Sequence, residues 1–297
     1  MAKTAIVITS SWVPSHPSTS LLETVINSTF ERLIGLQSTT PIFITVDHFP
    51  YIDRNVPPEL GEKIVNLEDY ANNVFHLYLS NQQVHILPNM KNLHIGGSVM
   101  KAMELIMRHY PNVKYMYSLQ HDFYFNRYID HVALIEAMEE HPEKVNYVRF
   151  PKRNPNLMST ACGNELPISY NLTLSFASTY TDTYGDKNGK IGGNEERRMM
   201  ATKIPSFEDR VIAAHEFQKV LMPTSSYSDN NHLVRFSWYK NIISSLKMLT
   251  RPPESPLMNR ANDGCAKIES MGLYLYYEMC IGHLDGDTWI QKSMTSD

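Results

Sequence analysis

Two rhythms of apolar residues alternate along the first half of the chain. Short apolar, often β-branched runs at 5–9, 42–46, 84–87, 115–119 and 145–150 have the length and make-up of buried strands. Between them apolar residues return at helical spacing. Leu21, Leu22, Val25, Ile26, Phe30, Leu33 and Ile34 predict one helix, with Ser18 or Thr19 as its cap. Val99, Met100, Met103, Ile106 and Met107 predict a second over 99–110, and a third spans 129–141. Strand and helix in turn through about residue 150 predict an α/β fold, a doubly wound, mixed and mainly parallel central sheet flanked by helices. The second half is less regular, with strand-like alternation at 168–176, a Gly-rich polar loop at 183–194 and a helix expected over 231–246. Neither a repeat nor a linker divides the chain, so residues 1–297 are expected to form a single domain.

On such a sheet ligands collect outside the carboxyl ends of the strands. The polar residues just past each run are therefore the candidates. These are Thr9, Ser10 and Ser11, then Asp47-His48, then the stretch 88–97 with Gly96 and Gly97, and then Gln120-His121-Asp122. A carboxylate where a strand emerges can hold a hard divalent cation, and the cation can bridge a diphosphate. Asp122 reads equally well as a strand-end helix cap. Toward the C-terminus, Ile281-Gly-His-Leu-Asp-Gly-Asp287 offers His283, Asp285 and Asp287. A lone histidine is more often a structural hydrogen-bonder, but a hard-oxygen site with one imidazole suits Mn²⁺ or Mg²⁺.

Composition then narrows the classes. At 42% hydrophobic and 20% charged residues the chain is an ordinary folded protein rather than a disordered one. A net charge of −4 with no basic stripe argues against a nucleic-acid partner. Cys162, Cys265 and Cys280 are odd in number and widely spaced, which suits a reducing compartment. The opening apolar run is too short for a signal peptide, and nothing approaches the ~20 apolar residues of a membrane span. The expectation is a soluble, cytoplasmic protein without an anchor.

The order of strand, Asn92-Leu-His-Ile-Gly96-Gly97, helix, strand and Gln120-His121-Asp122 resembles the inverting glycosyltransferases of the GT-A fold, and so does the opening Ile6-Val-Ile-Thr-Ser-Ser11. In that family a strand, an Asn-x-Gly-like turn, a helix and a second strand lead into a D-x-D metal motif. The resemblance implies a Rossmann-like GT-A fold in which residues 1–153 bind a nucleotide sugar and residues 154–297 bind the acceptor. It implies donor contacts by Thr9, Ser10, Ser11, Asp47, Gly97, Gln120 and His121, and a metal on Asp122 and His283. Gln120 departs from the pattern, which has an acid there.

Ser228-Asp-Asn-Asn-His-Leu-Val-Arg235 resembles the family's E-D-x-x-L-x-x-R segment, with Ser228 in place of Glu and Leu233 one residue late. It makes Asp229 the candidate base, although Asp229 also fits the cap of a helix beginning near Asn231. Tyr227, Trp238 and Trp289 could stack on sugar faces, and Arg153 joins Tyr227 and Trp238 as an acceptor contact. The donor implied is a UDP-sugar and the acceptor a glycan hydroxyl. Short, unanchored enzymes of this kind are similar to glycosyltransferases of large algal viruses, one of whose activities is transfer of xylose from UDP-xylose. A metal-free variant, with Lys101, Arg149, Lys152 or Arg153 balancing the diphosphate, stays open; Lys101 reads better as a solvated surface charge. So do two other functions: a sugar nucleotidyltransferase, whose Gly-rich basic loop residues 10–18 lack, and a non-catalytic glycan- or nucleotide-binding protein.

Overall fold

The computed structural model describes residues 3–48, 58–152, 168–171, 218–224, 227–245, 271–276 and 278–284 of the 297. In chain order the elements begin with β1 (Thr4–Ser10), α1 (Ser20–Arg32), β2 (Leu33–Ile34), β3 (Ile42–Val46), α2 (Pro58–Tyr78) and β4 (Val84–Pro88). There follow α3 (His94–His109), β5 (Tyr115–Gln120), β6 (Phe123–Phe125), β7 (Ile129–Asp130), α4 (His131–Glu140) and β8 (Tyr147–Arg149). The second half contributes β9 (Ile168–Asn171), β10 (Gln218–Pro223), β11 (His232–Arg235), α5 (Phe236–Ser245), β12 (Leu273–Leu275) and β13 (Ile281–His283).

Among the described residues, nine strands form one sheet in the order β4-β3-β1-β5-β11-β8-β12-β10-β9. The first four are mutually parallel. β11 runs antiparallel between β5 and β8, β12 lies parallel to β8, and β10 is antiparallel to both its neighbours. This is the mixed, mainly parallel sheet flanked by helices that the apolar pattern predicts, and strands from both halves of the chain share it. Every residue of β1 and β3 is buried, as strands covered on both faces must be. Ile6 and Ile8 face a core shared with Leu22 of α1, Tyr70 of α2 and Leu134 of α4. Ala5 and Val7 face the opposite core, with Val99 and Met103 of α3 and Tyr239 of α5. Among the described residues no helix is long and apolar enough to cross a membrane.

Four expectations need correction. The apolar pattern gave no element between 46 and 84, yet α2 lies there. Leu67, Tyr70 and Val74 make its buried stripe, but Val65 and Phe75 are 54% and 49% exposed, so apolar residues on both sides blur the periodicity. The helix expected over 231–246 is a strand followed by a helix. Leu233 enters one core and Val234 the other, so His232–Arg235 is held as a strand between β5 and β8 before α5 begins. The helix expected over 99–110 starts at His94, taking Gly96 and Gly97 into its first turn. Thr19 stands at the N-cap of α1, but its hydroxyl donates to the Glu23 carboxylate (2.6 Å) and accepts no backbone N–H.

Three histidines are packed in this framework as neutral rings. His16 stacks on Tyr70 with centroids 3.8 Å apart; burial first, and the neighbouring His121 second, pull its pKa down to about 3. Burial lowers His131 and His232 to about 4. In the unfolded chain these rings titrate near ~6.5. Below that pH the unfolded state takes up protons that the folded state refuses, so stability falls as pH drops from about 6.5 toward 4. The slope approaches about 1.4 kcal/mol per pH unit for each such ring. Urea unfolding at about pH 7 and about pH 5 is expected to show the loss, and His131→Asn to reduce it. Equal stability at the two pH values would contradict neutral burial.

Candidate functional site

The carboxyl ends of β1, β3 and β5 emerge side by side, with Thr9 in register with Gln120 and Ser10 with Val46. Thr9, Ser10, Ser11, Asp47, Gln120 and His121, together with Asp122, line one shallow, open cleft. The first turn of α3 supplies the facing wall through His94, Ile95 and Ser98. Gly97 is buried inside that turn and is not part of the lining. The floor is stiffened from below: the Thr9 hydroxyl donates to Leu119 O (3.3 Å), and the Ser10 hydroxyl donates to the Tyr70 hydroxyl of α2 (3.1 Å).

Asp47 organises the wall. Its Oδ1 accepts from the backbone N–H of Leu93 (2.7 Å), from the backbone N–H of His48 (3.0 Å) and from Asn89 Nδ2 (3.1 Å). Asn92 Nδ2 donates to His48 O (2.6 Å), tying the same loop a second time. At this turn the residue with a positive φ is His94, at 51°, not a glycine. A non-glycine residue there costs on the order of 1–3 kcal/mol and persists only where its surroundings hold it. The Asp47 contacts to Leu93 and Asn89 provide that hold. Lys101 donates to Pro88 O (2.7 Å) and Asn89 Oδ1 (3.1 Å), and partial burial lowers its pKa.

At the cleft's mouth, His283 Nε2 donates to Asp122 Oδ2 at 3.1 Å, although the two residues lie 161 positions apart. Pairing of β13 with β6 brings them together, with His283 in register with Phe123 and stacked on its ring at 4.6 Å. Leu284 N donates to Asp122 O (2.7 Å), locking the two segments. A carboxylate and an imidazole are groups that could hold a divalent cation, once the ring gives up the proton that it donates to Asp122. Among the described residues no group of three or more His, Cys, Asp or Glu gathers to hold a metal. Asp285, Asp287 and Trp289 lie outside the described residues, as do Arg153 and the loop at 183–194. Lys152 approaches from the far strand, its Nζ 4.8 Å over the Phe123 ring.

The remaining candidates sit around β11. Asp229 does not cap a helix, because the strand and not a helix follows it. It is 6% exposed, and its carbonyl accepts from Gln120 Nε2 (3.0 Å), which sets it beside the cleft's lining rather than within it. Burial pushes the hydroxyls of Tyr147, Tyr227 and Tyr239 far up, and the Asp229 charge adds to the shift in all three. Arg235 is at the opposite end of β11, against Tyr115, donating to Met138 O and stacked over the Tyr115 ring. Tyr227 is 1% exposed and shares a 2.9 Å hydrogen bond with Tyr239. Trp238 packs half-buried against the core of α3 and α5, near-parallel to Tyr239. His94, Ser98, Asn89 and Asn231 were not singled out from the sequence. Asn89 and His94 fall within the marked stretch 88–97, but nothing local marks the others.

No protein-family model matches the chain, and no curated protein matches it in sequence. Solved structures share its fold distantly. The chain is similar to residues 1–349 of TarS from S. aureus, at 8% identity and a TM-score of 0.42, with 94% of this chain and 60% of that one covered. It is similar to GalNAc-T7 crystallised with UDP, GalNAc and Mn²⁺, at 11% identity and a TM-score of 0.47, covering 95% of this chain and 43% of that one. It is also similar to a UTP-bound UGPase from Acinetobacter baumannii, at 10% identity and a TM-score of 0.40, with both chains covered completely. The chain thus spans about half the length of the first two. At such identities and scores, the functional reading rests on the site's own residues.

The Asp47 hub makes a direct prediction. Asp47→Ala leaves the Leu93 and His48 N–H groups without their acceptor and the Asn89 amide with Ser98 Oγ alone (2.9 Å), and a buried group so orphaned costs about 1–3 kcal/mol. Asp47→Asn keeps one oxygen in place. Chemical denaturation should show a loss of that order for the alanine variant and a clearly smaller one for asparagine. Equal losses would mean that the Oδ1 contacts do not hold the loop.

Proposed function

We propose that this chain transfers a sugar from a nucleoside diphosphate donor to a glycan hydroxyl. The observation that carries the proposal is the Asp122–His283 pair, 3.1 Å apart, at the mouth of a polar cleft formed by strand ends. The carboxylate and the imidazole are the residues that would hold Mn²⁺ or Mg²⁺. A bound cation there would neutralise negative charge on the departing diphosphate. Thr9, Ser10, Ser11 and Asp47 line the cleft and would receive the nucleoside; Gly97, buried in the first turn of α3, would act from behind that wall. UDP is the nucleotide proposed, following the family resemblance of Asp47 and the strand-end residues; xylose is the first sugar to try, following the likeness to glycosyltransferases of large algal viruses.

Asp229 is the residue proposed to take the acceptor's proton, with inversion at the anomeric carbon. Its hydrogen bond to Gln120 supports this, since it sets the Asp229 backbone next to the strand end that carries Asp122. Tyr227, Trp238 and Arg153 remain candidate acceptor contacts, the first two needing a rearrangement that frees a ring face. A second reading, a non-catalytic nucleotide- or glycan-binding protein, is favoured by the burial of Asp229 at 6% exposure.

The two readings separate in one assay. With Mn²⁺ present, the protein is incubated with a set of UDP-sugars, and release of UDP is followed with and without oligosaccharide acceptors. The transferase reading predicts turnover with one donor and a fall of ~10²–10⁴-fold in kcat for Asp229→Asn, with donor affinity unchanged. Binding without turnover would leave the second reading standing. Turnover that survives Asp229→Asn would remove Asp229 as the base.

A further inference from the structure

We propose that Asn231 is a positioning residue for the cation site, its side-chain amide clamping the link that carries Asp122; this rests on the reading of Asp122 and His283 as ligands. Only His121 and Asp122 separate the end of β5 from the start of β6. Asn231, wholly buried, reaches across that link from the segment leading into β11. Its Oδ1 accepts from Gln120 N at 3.0 Å, and its Nδ2 donates to Phe123 O at 2.9 Å. A single amide thus holds the residue before the link and the residue after it. The job needs an acceptor and a donor on one short side chain, which Asn has; Asp has no donor and Ala has neither.

Two backbone bonds also anchor the link, His121 N to Thr9 O (3.1 Å) and Leu284 N to Asp122 O (2.7 Å), and the His121 ring meets Thr9 O through Nδ1 (3.3 Å). Phe123 itself is the residue on which the His283 ring stacks. Pinning Phe123 O therefore steadies both ligands, the carboxylate through the chain and the imidazole through the ring. The Gln120 side chain adds a parallel tie through its Nε2 bond to Asp229 O. An acid at position 120 could not donate that bond. An amide there, where the D-x-D pattern has an acid, fits a residue that joins the two segments and does not ligate.

Removing such outer support from a metal ligand typically costs ~10–100-fold in metal affinity. The test is calorimetric titration of UDP into the full chain, with and without Mn²⁺, for the wild type, Asn231→Asp and Asn231→Ala. The expected result is a loss of at least ~10-fold in the Mn²⁺-dependent gain in UDP affinity for both variants. Metal-free UDP affinity, carried by the rest of the cleft, should be unchanged. A gain equal to the wild type's overturns the proposal. A parallel loss of both affinities also overturns it, because Asn231 would then be supporting the cleft as a whole. Should Asn231→Asp not fold, Asn231→Ala, which introduces no charge, carries the comparison; if neither folds, Asn231 is a keystone of the sheet and the positioning role falls. A wild type with no Mn²⁺-dependent gain at all removes the parent reading, and this one with it.

Discussion

β5 is paired on both sides, to parallel β1 and antiparallel β11, until its ladder with β1 stops at Gln120. Beyond that point the backbone of residues 121 and 122, between β5 and β6, needs partners that this ladder no longer supplies, and buried backbone polar groups are rarely left unpaired. Three separate parts of the chain meet the need. β1 offers Thr9 O, the segment before β11 offers the Asn231 amide, and the stretch after β13 offers Leu284 N. Because these partners converge on one link, Asp122 is held at the cleft's mouth and His283 is delivered to it. The site is a consequence of finishing this strand.

The opposite wall obeys the same accounting. A helix beginning at His94 leaves free N–H groups near its first turn, and the preceding loop has no strand to bond with. A single carboxylate oxygen of Asp47 gathers Leu93, Asn89 and His48, which keeps His94 in its left-handed conformation facing the cleft. Asp47 is therefore structural through one oxygen at least, whatever its side chain also offers a nucleoside.

What the amino-acid order revealed depended on how local the cause was. The runs at 5–9, 42–46, 84–87, 115–119 and 145–150 are strands within a residue or two, because burial on both faces demands apolar residues in succession. Asp47 and Asp122 stood out because polar residues directly follow such runs. β6 and β13 are three residues each, too short to show a period, and exist by pairing with each other across the chain. Asn231 looked like the start of a helix, since Leu233 and Val234 suit a helix as well as a strand and only their placement in opposite cores decides between them. Asp229 and Arg235 seemed one motif, yet β11 runs between them and carries Arg235 away to α4.

Asp122 and His283 are proposed to hold a divalent cation against a diphosphate. Thermal unfolding with UDP, with and without Mn²⁺, on the wild type and Asp122→Ala tests this most directly. A ligand at a hundredfold excess over its Kd stabilises the folded state by about 2.7 kcal/mol, so the shift is measurable. Mn²⁺ is expected to enhance stabilisation by UDP in the wild type, and Asp122→Ala to keep its fold but lose the enhancement. An Asp122→Ala variant that binds UDP and Mn²⁺ as tightly as the wild type contradicts the proposal.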